Sequence, residues 1–356
     1  MLKGITILDF TQYLPGPYAT MRLADMGANV IKIEPPHGDP ARALGNGIVF
    51  AANNRNKKSV IVNLKDEQEK KGFIPLIKQA DIIVESFRPG VMDKLGIGYE
   101  AVRQWNEDII YCSITGYGQT GSYRHLGSHD LNYMALSGML DQLKDENGRP
   151  VHPTTTIADL VGGLALSEAV LAALYTKERC GKGTKIDLAI TDALLAFQTT
   201  HLLYAERNKR ENGIPVLDGT TICYHLYETK DGRWMSIAAL EEKFWRNFCA
   251  WAQKPHWLAA HHSKANDDNP IYQEVKEFFQ SYTLEEWKRI SHKVDACLAP
   301  VLNISEVMEH PYPNEKRHIF SAPWGDVQVK AAPFLSNVQR PPKLGEDQTV
   351  LLTKNE

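Results

Sequence analysis

The chain has 356 residues, a formal net charge of −3, 43% hydrophobic and 23% charged residues, a globular composition that excludes disordered and fibrous classes. That length exceeds one ordinary core and divides most naturally into two domains, or one large domain carrying an insertion. The slight negative charge argues against a nucleic-acid or membrane surface built on counterion release, which needs a concentrated basic face, and leaves local basic clusters open.

The chain opens MLKGITILDF, a strand pattern without the basic region, apolar core and cleavage site of a secretory leader, so a cytoplasmic protein is expected. No membrane span is expected, because the longest weakly polar stretch, residues 161–175, is cut by Glu168. Five cysteines, odd in number and without a C-x-x-C, indicate neither a disulfide framework nor a zinc cluster.

In chain order, GITILDF reads as a strand. PGPYATMRLADMGA reads as a helix introduced by Pro15 and Pro17, with apolar positions at Tyr18, Met21, Leu23 and Met26. NVIKIEPP is a second strand, stopped by prolines that cannot continue a ladder. SVIVNLK, a charged helix over residues 66–79 and ADIIVESF repeat the alternation, and DIIYCSITGYG follows a helix over residues 101–105. The alternation predicts an α/β fold with a parallel, doubly wound sheet and ligand sites at the carboxyl ends of its strands. After the first strand stands LPGPYA, so the dinucleotide fingerprint G-x-G-x-x-G is missing.

A helix rich in Gly, Ala and Leu is expected from Asp159 to about residue 177, and ERCGKGTKIDLAITDALLAF reads as turn, strand and helix. Beyond Glu206, RNKRENG reads as a linker. ICYHLYETKDGRWMSIAAL is a hairpin around the Lys230-Asp231-Gly232 turn. Helices over residues 241–260 and 271–280, with an N-capped TLEEWKRI, complete a smaller α+β domain. Pro311, Pro313, Pro323, Pro333, Pro341 and Pro342 predict an extended return across the first domain.

Few residues carry chemistry. His129 is of the one type that exchanges protons readily near neutrality, or it simply caps a turn. Asp159 is either a helix N-cap or a base or nucleophile at a helix start, where free N–H groups hold a developing oxyanion. Glu241 begins a helix after a strand, where ordinary helix-start chemistry also suffices. Arg42, Arg55, Lys57, Lys58 and Arg88 fall in expected loops beside strands, placed either to bind phosphate or to be solvated. His261, His262 and Cys223 lack ligand spacing and read as ordinary surface and core residues.

The blocks GITILDFTQYLPGPYATMRLADMGANVIKIEPP, NRNKKSVIVNLK, ESFRPGVMDKLGIGYE, IIYCSITGYGQTG, GKGTKIDLAITDA, DACLAPV and PPKLGEDQT resemble, over nearly the whole chain, the family III CoA-transferase superfamily. That group contains formyl-CoA and carnitine CoA-transferases together with α-methylacyl-CoA racemase. The resemblance implies an interlocked homodimer of ring-like chains, with active sites between the large domain of one subunit and the small domain of the other. Each chain then has a Rossmann-like large domain built from N- and C-terminal parts, residues 1–206 and 311–356, and a smaller domain over 221–310 reached by a linker at 207–220.

Two chemistries are known in that superfamily. Transferases use one aspartate as nucleophile, through an anhydride and an aspartyl-CoA thioester, and carry Gly-Phe-Asp where this chain has Ser128-His129-Asp130. Racemases use two bases on opposite faces of the α-carbon, and SHDLNYMALSG is similar to their G-H-D-[IL]-N-Y signature with Ser128 in place of glycine. Asp159 matches the aspartate common to both chemistries, and Glu241 a racemase glutamate with a supporting role. The resemblance therefore implies a 2-methylacyl-CoA racemase using His129 and Asp159, with enolate-stabilising N–H groups at the helix start, Leu160 among them. The alternatives are CoA transfer through Asp159 and an idle acyl-CoA-binding protein.

For CoA recognition the resemblance points to Val62, Asn63, Leu64 and Lys65, to Arg88, and to Ser128, Asp130, Leu131, Asn132 and Tyr133, with Asn54, Arg55 and Lys58 nearby. Pro35 stands where many racemases have an arginine, and Arg42 is the expected substitute. The implied partners are an acyl-CoA substrate and a second copy of the chain, with no nucleic acid and no membrane. No metal or redox cofactor is expected, coenzyme A being part of the substrate.

Overall fold

A computed structural model describes residues 1–145, 147–331 and 338–351; Pro333 and the last residues of the expected return, 352–356, lie outside the described residues. The chain divides into two compact units, residues 1–199 with 317–356, and residues 200–316. Residues 207–220, expected as a linker, belong to the second unit.

The first unit is built on a six-stranded parallel sheet of order β3-β2-β1-β4-β5-β6. Its strands are β1 (Thr6–Phe10), β2 (Asn29–Glu34), β3 (Lys57–Ile61), β4 (Ile82–Glu85), β5 (Ile110–Thr115) and β6 (Lys185–Ala189). Leu8 of β1 stands beside Ile31 of β2 and Ile83 of β4, so the central strands are apolar runs covered on both faces. One face carries Ile7, Val30, Val84 and Ile114, the other Leu8, Ile31, Ile83 and Tyr111. The helices are α1 (Pro15–Asp25), α2 (Ile48–Asn53), α3 (Glu67–Gln79), α4 (Val91–Lys94), α5 (Tyr99–Arg103), α6 (Asp130–Leu136), α7 (Ile157–Cys180) and α8 (Ile190–Phe197).

Strand β3 begins two residues before SVIVNLK and ends at Ile61, which leaves Asn63, Leu64 and Lys65 beyond it. Helix α7 starts at Ile157 and ends at Cys180, where Gly181 adopts a left-handed C-cap. It is long and apolar enough, by length and composition alone, to cross a membrane, which the interruption at Glu168 had argued against. Its buried face, including Gly162, Gly163, Leu166 and Val170, is that of a core helix. A β-carbon at Gly163 would stand 2.7 Å from the Pro15 carbonyl oxygen and 2.8 Å from Tyr18 Cδ1, so α1 and α7 meet backbone to backbone.

Buried charge closes the sheet edge. Lys57 Nζ lies 3.0 Å from Asp9 Oδ2 with both side chains fully buried, and it also donates to Thr20, Asn54 and the Pro17 carbonyl. Burial pulls Lys57 down to about 8 against the opposing pull of Asp9. The C-terminal part joins the same edge. Gln328 and Val329 accept hydrogen bonds from Arg55, and Asp347 and Gln348 accept from the backbone of Ser59 and Ile61.

The second unit holds α9 (Thr199–Asn208, all but its first residue), an antiparallel sheet of β7 (Tyr224–Glu228), β8 (Trp234–Ala238) and β9 (Leu298–Pro300), and helices α10 (Glu242–Trp251), α11 (Pro270–Phe279) and α12 (Leu284–Ser291). Trp245, Trp257 and Trp287 fill its core. The helix expected over 241–260 stops at Trp251, because Gln253 takes a left-handed φ of 57° and Pro255 opens a separate 3-10 turn.

Candidate active site

The strand order reverses between β1 and β4, which is where a doubly wound sheet opens a crevice at its carboxyl edge. A cleft of about 380 Å³ occupies that place. The segments after β1 and β4 contribute Gln12 and Tyr13 and Ser86 through Arg88, and the last residue of β5 with the two after it contributes Thr115 through Tyr117. The stretch before and into α6 contributes Arg124, Ser128, His129, Asn132 and Tyr133, and α7 contributes Asp159.

His129 is the N-cap of α6, with extended backbone and an exposed side chain. Its N–H donates to Asn132 Oδ1 at 3.0 Å, which fixes the entry to the helix. Ser128 Oγ donates to the Tyr133 hydroxyl at 3.2 Å, and that hydroxyl donates back to the Ser128 carbonyl at 3.1 Å. A β-carbon at Gly116 would lie 2.4 Å from the Tyr133 ring and 2.5 Å from Ser128 Oγ, so the glycine of SITGYG permits this approach. Ser128 and Tyr133 thereby shape the wall on which His129 stands, and burial pushes the Tyr133 hydroxyl up.

Asp159 is not the N-cap of its helix. Thr156 holds that position and Asp159 sits in the first turn, with its N–H donating to Asp130 Oδ1 at 2.9 Å. Burial, and after it the Asp130 charge, raise the Asp159 carboxyl from 3.8 to about 7. The Leu160 N–H is not free for an enolate, since it bonds the Thr156 carbonyl at 3.3 Å within the helix. The cleft thus holds a histidine together with a carboxyl that changes protonation near neutrality.

Of the other expected residues, Arg88 lines the cleft and Asp130 reaches it through Asp159. Leu131 is 40% exposed on α6. Glu241 lies in the second unit, exposed at the N-cap of α10. Several basic and polar candidates have other duties. Arg55 is 1% exposed and forms a two-pronged pair with Asp25 at 2.6 and 3.1 Å, so it is a buried strut and not a loop cation. Lys57 is a buried strand residue, and Asn54, fully buried, bonds it and the Phe50 carbonyl. Arg42 grips Glu34 at 2.7 and 2.8 Å and stacks 3.7 Å from the Phe50 ring, which occupies the group expected to replace an arginine at Pro35. Val62 is core at 3% exposure. Asn63 accepts the Lys65 N–H, Leu64 is half-buried against the core, and Lys58 and Lys65 are exposed; none of these lines the cleft.

Sequence reasoning missed Gln12, Tyr13, Ser86, Thr115, Tyr117 and Arg124 in the cleft wall. Their signal was position, at or just past a strand's carboxyl end or within the loop before α6. Tyr13 takes a left-handed φ of 65° and donates its N–H to Asp39 Oδ1, a conformation that turns the chain out of β1. Glu85, closing β4, is also raised to about 7 by burial, against hydrogen bonds from Ser113 and the Phe87 N–H.

A doubly wound α/β unit with a cleft at its switch point is the arrangement that takes a ligand across its strand ends. The model of CoA-transferase family III matches residues 2–348, and the chain belongs to that family. It is 30% identical to human alpha-methylacyl-CoA racemase over 352 residues, 97% of this chain and 89% of that one. It is 31% identical to acetyl-CoA:oxalate CoA-transferase of Acetobacter aceti over 86% of this chain and 82% of that one. The crystal structure of a CAIB/BAIF family protein from Brucella suis shares its fold with a TM-score of 0.88 at 24% identity, covering 100% of this chain and 99% of that one.

Proposed function

We propose that the chain is a racemase of 2-methylacyl-CoA thioesters, of the 2-arylpropionyl-CoA type among others, which moves a proton from one face of the α-carbon to the other. The observation that carries this reading is Asp159, raised to about 7 in the cleft that His129 also lines. A thioester α-proton is weakly acidic, so its removal needs a positioned base. One group takes the proton as the other, already protonated, delivers one to the opposite face; the reverse reaction exchanges the roles. A carboxyl balanced near neutrality serves both roles, whereas a nucleophile for thioester transfer is best fully ionised. The 30% identity to a racemase over 97% of the chain agrees with this reading, and the transferases match at the same level.

In this reading Arg88 and the segment from Ser128 to Tyr133 hold the CoA thioester, and Glu241 supports the site. The chain works as a cytoplasmic, interlocked homodimer. Exposed apolar side chains on α7 and α8, Tyr175 and Phe197 at 64% and 60%, are surface that a second copy would cover. Incubating a single 2-methylacyl-CoA epimer with the protein in D2O is expected to give α-deuteration with loss of optical purity; folded protein without exchange would refute it.

The similarity to CoA-transferases at 31% identity favours a second reading, in which Asp159 is the nucleophile. Borohydride or hydroxylamine trapping during turnover with two carboxylic acids, followed by mass spectrometry of the Asp159 peptide, distinguishes it by a covalent adduct.

A further inference from the structure

Cys223 and the adjacent His261 and His262, read in the sequence as ordinary residues, come together in the second unit. Cys223 Sγ lies 3.5 Å from His262 Nδ1 across 39 positions of chain. One donor atom from each of the three side chains falls within 4.8 Å of the others. We propose that these residues form a binding site for a thiophilic divalent cation of the Zn2+ class, independent of the acyl-CoA chemistry.

One pair of donors stands at the spacing of a tetrahedral site. Bonds of about 2.0–2.1 Å to nitrogen and about 2.3 Å to sulfur set neighbouring donors roughly 3.3–3.6 Å apart. The cysteine–His262 pair already has that spacing, and the third donor lies within 4.8 Å of both. His261 is oriented as metal-ligating histidines are. Its Nε2 donates to the Ala239 carbonyl oxygen at 2.7 Å, leaving Nδ1 with the lone pair, and its ring stacks on Trp245 at 5.8 Å and 6°. The His262 ring stacks on it at 3.9 Å.

Two backbone hydrogen bonds clamp the ligand-bearing segments, Ile222 N–H to the Ser263 carbonyl at 3.1 Å and Ala265 N–H to the Thr220 carbonyl at 2.8 Å. The donors are therefore positioned before any ion arrives. Thr221 Oγ1, 3.8 Å from Cys223 Sγ, is placed to turn its hydroxyl toward a thiolate. His262 is exposed, so a water completes the fourth position from solvent. Thiolate is the ligating form of cysteine, so binding displaces the thiol proton of Cys223 and one H+ leaves for each cation bound.

The test uses the full, tag-free chain stripped with a chelator and titrated with Zn2+ against a chromophoric competitor, then with Co2+. We expect one Zn2+ per chain with a Kd below about 1 µM and a thiolate-to-Co2+ charge-transfer band in the near ultraviolet. His262→Ala and Cys223→Ser are each expected to weaken Zn2+ roughly tenfold or more, while His292→Ala at an exposed site leaves it unchanged. Should Cys223→Ser fail to fold, the exposed His262→Ala variant decides the matter. Absence of binding below about 10 µM, absence of the band, or unaltered binding in His262→Ala overturns the proposal.

Discussion

Replacing Asp130 by asparagine isolates one cause of the Asp159 shift. Asparagine keeps an oxygen for the Asp159 N–H, which now bonds Asp130 Oδ1 at 2.9 Å, and removes only the charge. The Asp159 carboxyl stands at about 7 instead of 3.8, with burial the larger cause and Asp130 the smaller. The Asp130 charge therefore accounts for less than half of the rise from 3.8 to about 7. Exchange from the epimer that Asp159 deprotonates requires the carboxylate, so its rate rises with pH through the Asp159 midpoint. In a pH series of deuterium uptake, kcat/KM for that epimer should turn near pH 7 in the parent (the value held by Asp159) and at lower pH in Asp130→Asn, by less than half of the rise from 3.8. The opposite epimer, whose proton goes to His129, should not show this rising limb. A limb that stays at 7 or moves upward, in a variant with an unchanged melt, would refute the link.

Three further outcomes follow from buried groups. A raised carboxyl contributes stability that is fully present below its unfolded value and lost as pH rises to its folded one; for Asp159 that window runs from 3.8 to about 7. Asp159→Asn should therefore stabilise the fold by on the order of 2–4 kcal/mol at pH 8 and by less than half of that at pH 5, read from paired denaturant titrations; an equal gain at both would contradict it. Lys57→Met strands the fully buried Asp9 carboxylate, and a loss of about 3–5 kcal/mol is expected in the same titrations. Gly163→Ala forces a methyl against the Pro15 carbonyl where α1 and α7 touch; a cost of about 1–3 kcal/mol is expected in thermal melts, and no change would show that the helices part easily.

The strands were legible where apolar runs ended in residues with one local meaning, as at GITILDF before its prolines and ADIIVESF before its helix. Strand β3 was displaced because Lys57 and Lys58 look like loop cations, yet Lys57 is buried against Asp9. The same blindness misread Arg55 and Arg42. Sequence shows a charge but not the partner that buries it, and Asp25 lies 30 positions from Arg55. Asp159 was visible as a residue near a helix start, but its raised carboxyl depends on Asp130, 29 positions away, and on burial that no local pattern encodes. His129 was found through its motif, whereas Tyr13 and Thr115 came from the sheet alone, since only the strand order shows which loops face one another.

The proposed mechanism has one group remove the α-proton from one face while a second group delivers a different proton to the opposite face. It is tested most directly by following a single protonated 2-methylacyl-CoA epimer in D2O through the first few per cent of reaction, with product and remaining substrate separated before mass analysis. Two bases predict product that is deuterated at the α-carbon from the first turnovers, because the delivering group has equilibrated with solvent, beside substrate that is still protonated. Product retaining the original proton would contradict the account, as would CoA transfer to an added acid with an adduct on Asp159 and no α-exchange.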